Sequence, residues 1–152
     1  MITKMAIASA LVLITTAALA QEKKIKRSDL PPAVQKAVVR ESRGAKIRGF
    51  AEEKEKGQTY YETELLVDGH SKDVLMDKDG TVVEVEEQIA LDKLPPEVKE
   101  GLQEKAGKAK ILQVETLTKH GQVVAYEAQI SSHGKKSEVQ VGPDGKPLAH
   151  EE

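Results

Sequence analysis

Between Leu30 and Leu148 the chain twice passes from a helical to an alternating spacing of apolar residues. The first helical stretch opens at Ser28-Asp29-Leu30-Pro31-Pro32. Ser28 or Asp29 can cap it, and the prolines fall in a first turn whose amide donors have no intrahelical partner. Val34, Ala37 and Val38, with Glu41 one turn on, follow the spacing of one buried stripe, and Gly44 can take the left-handed conformation that ends it. The period then falls to two. Lys46–Glu55 reads as a strand whose charged tip, Lys54-Glu55-Lys56-Gly57, turns the chain. Next, Tyr61, Thr63, Leu65 and Val67 alternate with Tyr60, Glu62, Glu64 and Leu66, which predicts a core face and an outer face. Asp68-Gly69 and Asp79-Gly80 mark further hairpins, with Val74 and Met76 inward on the third strand. On the fourth, Val83 and Val85 are expected inward and Glu84 and Glu86 outward.

The pattern is then repeated. Leu30-Pro31-Pro32-Ala33-Val34 returns as Leu94-Pro95-Pro96-Glu97-Val98, an offset of 64 that also carries Ala45-Lys46-Ile47 onto Ala109-Lys110-Ile111 and Gly57-Gln58 onto Gly121-Gln122. Tyr61-Glu62 and Asp79-Gly80 recur as Tyr126-Glu127 and Asp144-Gly145 at an offset of 65. Val98, Gly101 and Leu102 form the second stripe, after Asp92 or Lys93, and Gly107 ends it. Ile111–Leu117, then Tyr126, Ala128 and Ile130, then Val139 and Val141 supply strands, and Pro143-Asp144-Gly145 closes onto a short strand at Leu148. The extra residue between Gly121 and Tyr126 would turn every following side chain to the wrong face, so a bulge or longer turn is expected there. The fold class is α+β: a tandem repeat of one helix packed on a four-stranded antiparallel meander sheet. Copies of about 60 residues bury marginal cores alone, so the halves should pack as one body or share an interface.

The first 20 residues stand apart. Lys4 gives a short positive region, Met5–Leu19 is almost wholly apolar, and Ala18-Leu19-Ala20 offers small residues for signal-peptide cleavage before Gln21. The expected organisation is a signal peptide over 1–20, a flexible basic lead-in over 21–27, and repeats over 28–89 and 90–152. The apolar run is short for a membrane span, so no membrane anchor is expected after cleavage, and the location is periplasmic or secreted. The chain has no cysteine, which removes disulfides, thiolate metal sites, thiol nucleophiles and a lipoprotein anchor. Without Lys4, 22 basic residues face 25 acidic ones, interleaved throughout. Such mixing argues against a nucleic-acid partner, as does the scarcity of aromatics, namely Phe50, Tyr60, Tyr61 and Tyr126.

The plan resembles the PepSY-like family, whose tandem form is shared in architecture by the beta-lactamase inhibitory proteins. The resemblance rests on the two Leu-Pro-Pro-x-Val openings, on Gly57 to Glu62 with its Tyr60-Tyr61-Glu62, and on the hairpins at Asp77–Glu84 and Gly142–Lys146. It implies an extracytoplasmic binding or inhibitory module with no catalytic residues to carry over. This chain departs from those inhibitors in lacking both disulfides and an aromatic-rich sheet surface.

Candidate chemistry is sparse. Asp77-Lys78-Asp79-Gly80 suggests a calcium loop, but counting Gly80 as sixth puts the apolar Leu75 first, and a hairpin explains the same letters. Three of the four histidines (His70, His120, His133 and His150) fall at expected turns, and a metal between His70 and His133 would lack a third ligand. Ser71 beside His70 and Ser132 beside His133 are sequence neighbours on hairpins, and no nucleophile elbow or phosphate-binding loop occurs, so no enzyme, cofactor or metal centre is expected. What remains is the sheet face away from the helix, with Tyr60, Leu66 and Leu75 among Glu62, Glu64, Lys72 and Glu84. The candidate binding surface is Tyr60, Glu62, Leu66 and Leu75, engaging or inhibiting another envelope or secreted protein, with a peptidase as one candidate class. The alternative is a small-ligand or divalent-cation sensing module acting through the acidic strand faces.

Overall fold

The computed structural model describes residues 21–55, 57–150 and 152, with only the backbone of Gln21. The expected signal peptide lies outside the described residues. Eight strands form one antiparallel sheet in chain order: β1 (Gln21–Ile25), β2 (Lys46–Glu55), β3 (Gln58–Val67), β4 (His70–Met76), β5 (Val82–Gln88), β6 (Lys110–Lys119), β7 (Gln122–Ser132) and β8 (Lys135–Val141). Helix α1 (Pro32–Glu41) joins β1 to β2, and α2 (Pro96–Ala106) joins β5 to β6.

Each half is thus one helix with four strands, as the duplication implies, but the unit starts one strand earlier than the sequence pattern suggests. β2 and β6 start at Lys46 and Lys110, and β3 and β7 at Gln58 and Gln122, which makes β1 the counterpart of β5. Gln21–Ile25, expected as a flexible lead-in, is an edge strand with Lys24 opposite Ala51 and Ile25 opposite Phe50. Ile25 anchors it in the first core. Leu148 is half-buried but belongs to no strand.

Both helices lie on one face. Leu30, Val34, Ala37 and Val38 pack against Leu65, Val74 and Met76, and Leu94, Val98, Leu102 and Ala106 against Val114, Ala128, Ile130 and Val141. The Asp-Gly turns lock onto the Leu-Pro-Pro helix starts. A Cβ on Gly80 would stand 2.7 Å from the Ala33 carbonyl oxygen, and one on Gly145 would stand 2.1 Å from that of Glu97. Two motifs at opposite ends of each unit are therefore one packing contact. Asp68-Gly69, His120-Gly121 and His133-Gly134 have positive φ at both residues, the conformation of tight type I′ hairpins.

Bulges reconcile the registers. β2 and β6 each shift at the same place, between Ile47 and Gly49 and between Ile111 and Gln113. The extra residue of the second copy is absorbed as expected: Leu117 faces Ala125, Thr118 faces Val123, and Val124 is bulged out. A further shift faces Leu75 with Glu84 and Met76 with Val82. This bypasses Val83, so Val82 and Val85 pack on the core instead of Val83 and Val85.

Candidate functional site

The face opposite the helices is built by the outward half of each strand's alternation. One row runs directly across six strands: Lys24, Ala51, Glu62, Leu75, Glu84 and Lys119. The next holds Glu64, Asp73, Glu86, Leu117 and Ala125. Between the rows and Glu53, which opposes Glu22 and Tyr60, lies a groove of about 70 Å³ lined by Glu53, Glu62, Asp73, Leu75, Glu84 and Glu86.

Its cations stand at the two ends. The Lys24 ammonium contacts Glu64 and lies 2.8 Å from Glu22, while Lys119 lies 3.3 Å from Glu84 and 3.2 Å from Glu152. Among the described residues no lysine or arginine pairs with Glu62, Asp73 or Glu86. Their carboxyls respond accordingly. Burial, then repulsion from Asp73 and Glu53, pushes Glu62 up to about 8. Burial and the Glu115 and Glu64 carboxylates raise Asp73 to about 6. Glu86 is raised by burial and then by Glu127 and Glu84, and Glu53 by burial and then Glu22. Near neutral pH, Glu62 thus retains much of its proton and can donate as well as accept a hydrogen bond.

All four residues expected on this surface face it, but not as a cluster. Glu62 and Leu75 oppose each other inside the groove. Tyr60 lies toward one end of β3, its hydroxyl donating to Gln58 Oε1 at 2.6 Å, beside a separate hollow that also involves Asp77 and Asp79. Leu66 lies toward the other end, opposite Ser71 and Lys46. Lys72, expected on this face, opposes Leu65 and lies on the helix side, because the β4 alternation set by Val74 and Met76 continues through it. Asp73 takes the outer position. The centre is acidic and the apolar residues flank it, the reverse of apolar anchors inside a charged rim.

Sequence reasoning places Glu86 outward but does not bring it together with Glu53 and Asp73. The signal was present in the hairpin turns at Gly57 and Gly69, which fix the register and stack the acidic positions of separate strands. Elsewhere the candidate groups are engaged in local hydrogen bonds. The Ser71 hydroxyl donates to Glu115 at 3.0 Å, among Gln88 and Gln113, and Ser132 meets His133 Nδ1 at 3.0 Å within an exposed turn. Asp77 Oδ1 accepts from the Asp79 and Thr81 amides, as a hairpin requires. Carboxylate oxygens of Glu22, Glu62 and Glu64 lie within 4.8 Å of one another, but the Lys24 ammonium already supplies two of them with positive charge. No helix among the described residues is long and apolar enough to cross a membrane.

An eight-stranded meander with one helix per half on a single face defines a tandem α+β fold. The fold is shared with solved proteins of the bacterial genus Bacteroides. A protein of Bacteroides eggerthii described as periplasmic has a TM-score of 0.63 at 20% identity, over 78% of this chain and 86% of that one. A DUF2874-family protein of Bacteroides ovatus has a TM-score of 0.59 at 21% identity, over 79% and 86%. A BLIP-like protein of Bacteroides fragilis has a TM-score of 0.56 at 22% identity, over 78% and 83%. The resemblance carried by the Leu-Pro-Pro openings is borne out at the level of fold. No family model and no curated protein matches the chain.

Proposed function

We propose that this chain is a non-catalytic, exported binding protein of the periplasm that engages or inhibits another envelope or secreted protein through the open face of its sheet. The observation that carries this reading is the asymmetry of the sheet. Both helices cover one face, while the other holds a groove in which Glu62, Asp73 and Glu86 pair with no lysine or arginine among the described residues, a costly arrangement unless something is bound there. Among the described residues the serines and histidines form no nucleophile-base-orienter chain, and the proteins of similar fold include a BLIP-like one, both of which favour binding over catalysis. The two repeats act together, since β5 pairs with both β4 and β6. The contact includes Glu62 and Leu75, with Tyr60 and Leu66 flanking them.

A photo-cross-linker in place of Tyr60, in protein exported in its native envelope, should give a discrete adduct. The adduct should disappear when Leu66 and Leu75 are changed to Ser, and none should form from Val39 on the exposed side of α1. Equal adducts from both positions, or none from either, would reject the reading. A divalent-cation sensor is the second reading, favoured by the Glu22, Glu62 and Glu64 carboxylates. It requires Ca²⁺, Mg²⁺ or Zn²⁺ to raise the unfolding midpoint, and the Lys24 ammonium between Glu22 and Glu64 weighs against it.

A further inference from the structure

The two halves differ on the open face where the chain continues past β8. After β8 the chain turns back, the Gly142 amide donating to the Lys146 carbonyl at 2.8 Å and the Gly145 amide to that of Gly142 at 2.9 Å. Glu152 then lies over the sheet. Its amide donates to Gln140 Oε1 on β8 at 2.9 Å, and its carboxylate lies 3.2 Å from Lys119 Nζ on β6, so one residue straddles β7. Gln140 keeps only 6% of its surface and donates onward to Glu127 at 2.7 Å. Leu117 and Ala125 oppose each other on this face and are also buried.

The repeat offsets carry this place onto the first half: Leu117 corresponds to Glu53, Glu127 to Glu62 and Gln140 to Leu75. These are lining residues of the acidic groove. In the first half, however, the chain leaving β4 enters β5 and stays within the sheet. The groove is lined by strand side chains alone, where the second half holds a returning segment of its own chain.

We propose that the groove over Glu53, Glu62 and Leu75 seats an extended segment of a partner polypeptide bearing lysine or arginine, at the place that corresponds to the seat of Glu152 in the second half. This rests on the binding reading above and names the chemistry of the partner. In the second half the guest presents an amide to Gln140 and a carboxylate to Lys119. In the first half the sign is reversed: Glu53, Glu62, Asp73, Glu84 and Glu86 surround the seat, and Lys24 and Lys119 are engaged at its ends. Leu75 offers apolar surface to the alkyl stem of a long basic side chain while its charged head meets Glu62 and Asp73. Glu84 and Glu152 share Lys119, so the filled and open places adjoin.

The test uses the leaderless protein, isotope-labelled for NMR, and the peptide Ala-Lys-Ala-Lys-Ala-Lys. Its lysine-acetylated form and its Glu-for-Lys counterpart serve as controls. Saturable shifts should centre on the amides of Glu53, Glu62, Leu75 and Glu84. Binding should weaken at least tenfold in the Glu62→Gln/Asp73→Asn variant, which keeps side-chain volume, and should be lost with both control peptides. Shifts scattered over the surface, an unaffected variant or equal binding of the acetylated peptide would overturn the proposal. If that variant's spectrum shows misfolding, Leu75→Lys, which places a cation in the groove itself, replaces it with the same expected tenfold loss. A cross-linked native partner without peptide binding sinks this proposal alone; peptide binding without a native partner sinks the earlier reading alone.

Discussion

Thr63 is fully buried between Phe50 and Val74, and its hydroxyl finds no partner among the described residues. Its counterpart in the second half is Ala128, which carries no polar atom to satisfy. Thr63→Val keeps the shape and removes the unpaired hydroxyl, so it should raise stability by about 1–2 kcal/mol in urea unfolding. Glycines separate two other effects. Gly69 has φ +88° with open space around it, so Gly69→Ala should cost only the backbone strain of about 1–2 kcal/mol. Gly145→Ala adds a collision with the Glu97 carbonyl oxygen and should cost roughly 2–5 kcal/mol. Equal losses at the two positions would mean that the turn does not bear on α2.

Among the elements, β7 offers the sharpest check. Val124 sits in a bulge that lets the strand carry one residue more than β3. Its deletion should restore the pairing of the first half and change stability by less than about 1 kcal/mol, since no core side chain changes face. Deleting Ala128 instead would flip the remainder of the strand and should abolish folding, as circular dichroism would report. Most of the elements were legible because the duplication supplied each motif twice: α1 and α2 show their stripes, and the Asp-Gly turns show their hairpins. β1 was not legible, because a short edge strand with Ile25 as its apolar anchor leaves no alternation to read. Lys72 was misplaced for a related reason, its charge suggesting an outer position that its register denies. The groove was only half legible. Glu62 and Leu75 stood out individually, but alternating acids on an outer face ordinarily mean solvent, and four separate strands had to be aligned before Glu53, Asp73 and Glu86 joined them.

For the whole molecule, the half-buried acids set an unusual response to pH. Glu62 and Asp73 bind protons more tightly folded than unfolded, so between pH 4 and about 8 the native state holds more protons. Their contribution is fully present below the unfolded carboxyl range. It fades as pH rises, through about 6 for Asp73 and about 8 for Glu62. Tm should therefore rise as pH is lowered from 9 to 5. Glu62→Gln should raise Tm at pH 9 and flatten the profile, and a Tm that falls steadily over that interval would contradict the burial of these groups.

The sheet's strand order has a kinetic consequence as well. Every strand pairs only with the ones made just before and just after it, so the chain can assemble in the order in which it emerges. Once β5 is out, the first core has all its partners, and β5 then presents an edge on which the second half can grow. No early segment has to wait for the far terminus, which shortens the time that sticky half-made surfaces meet other newly delivered chains.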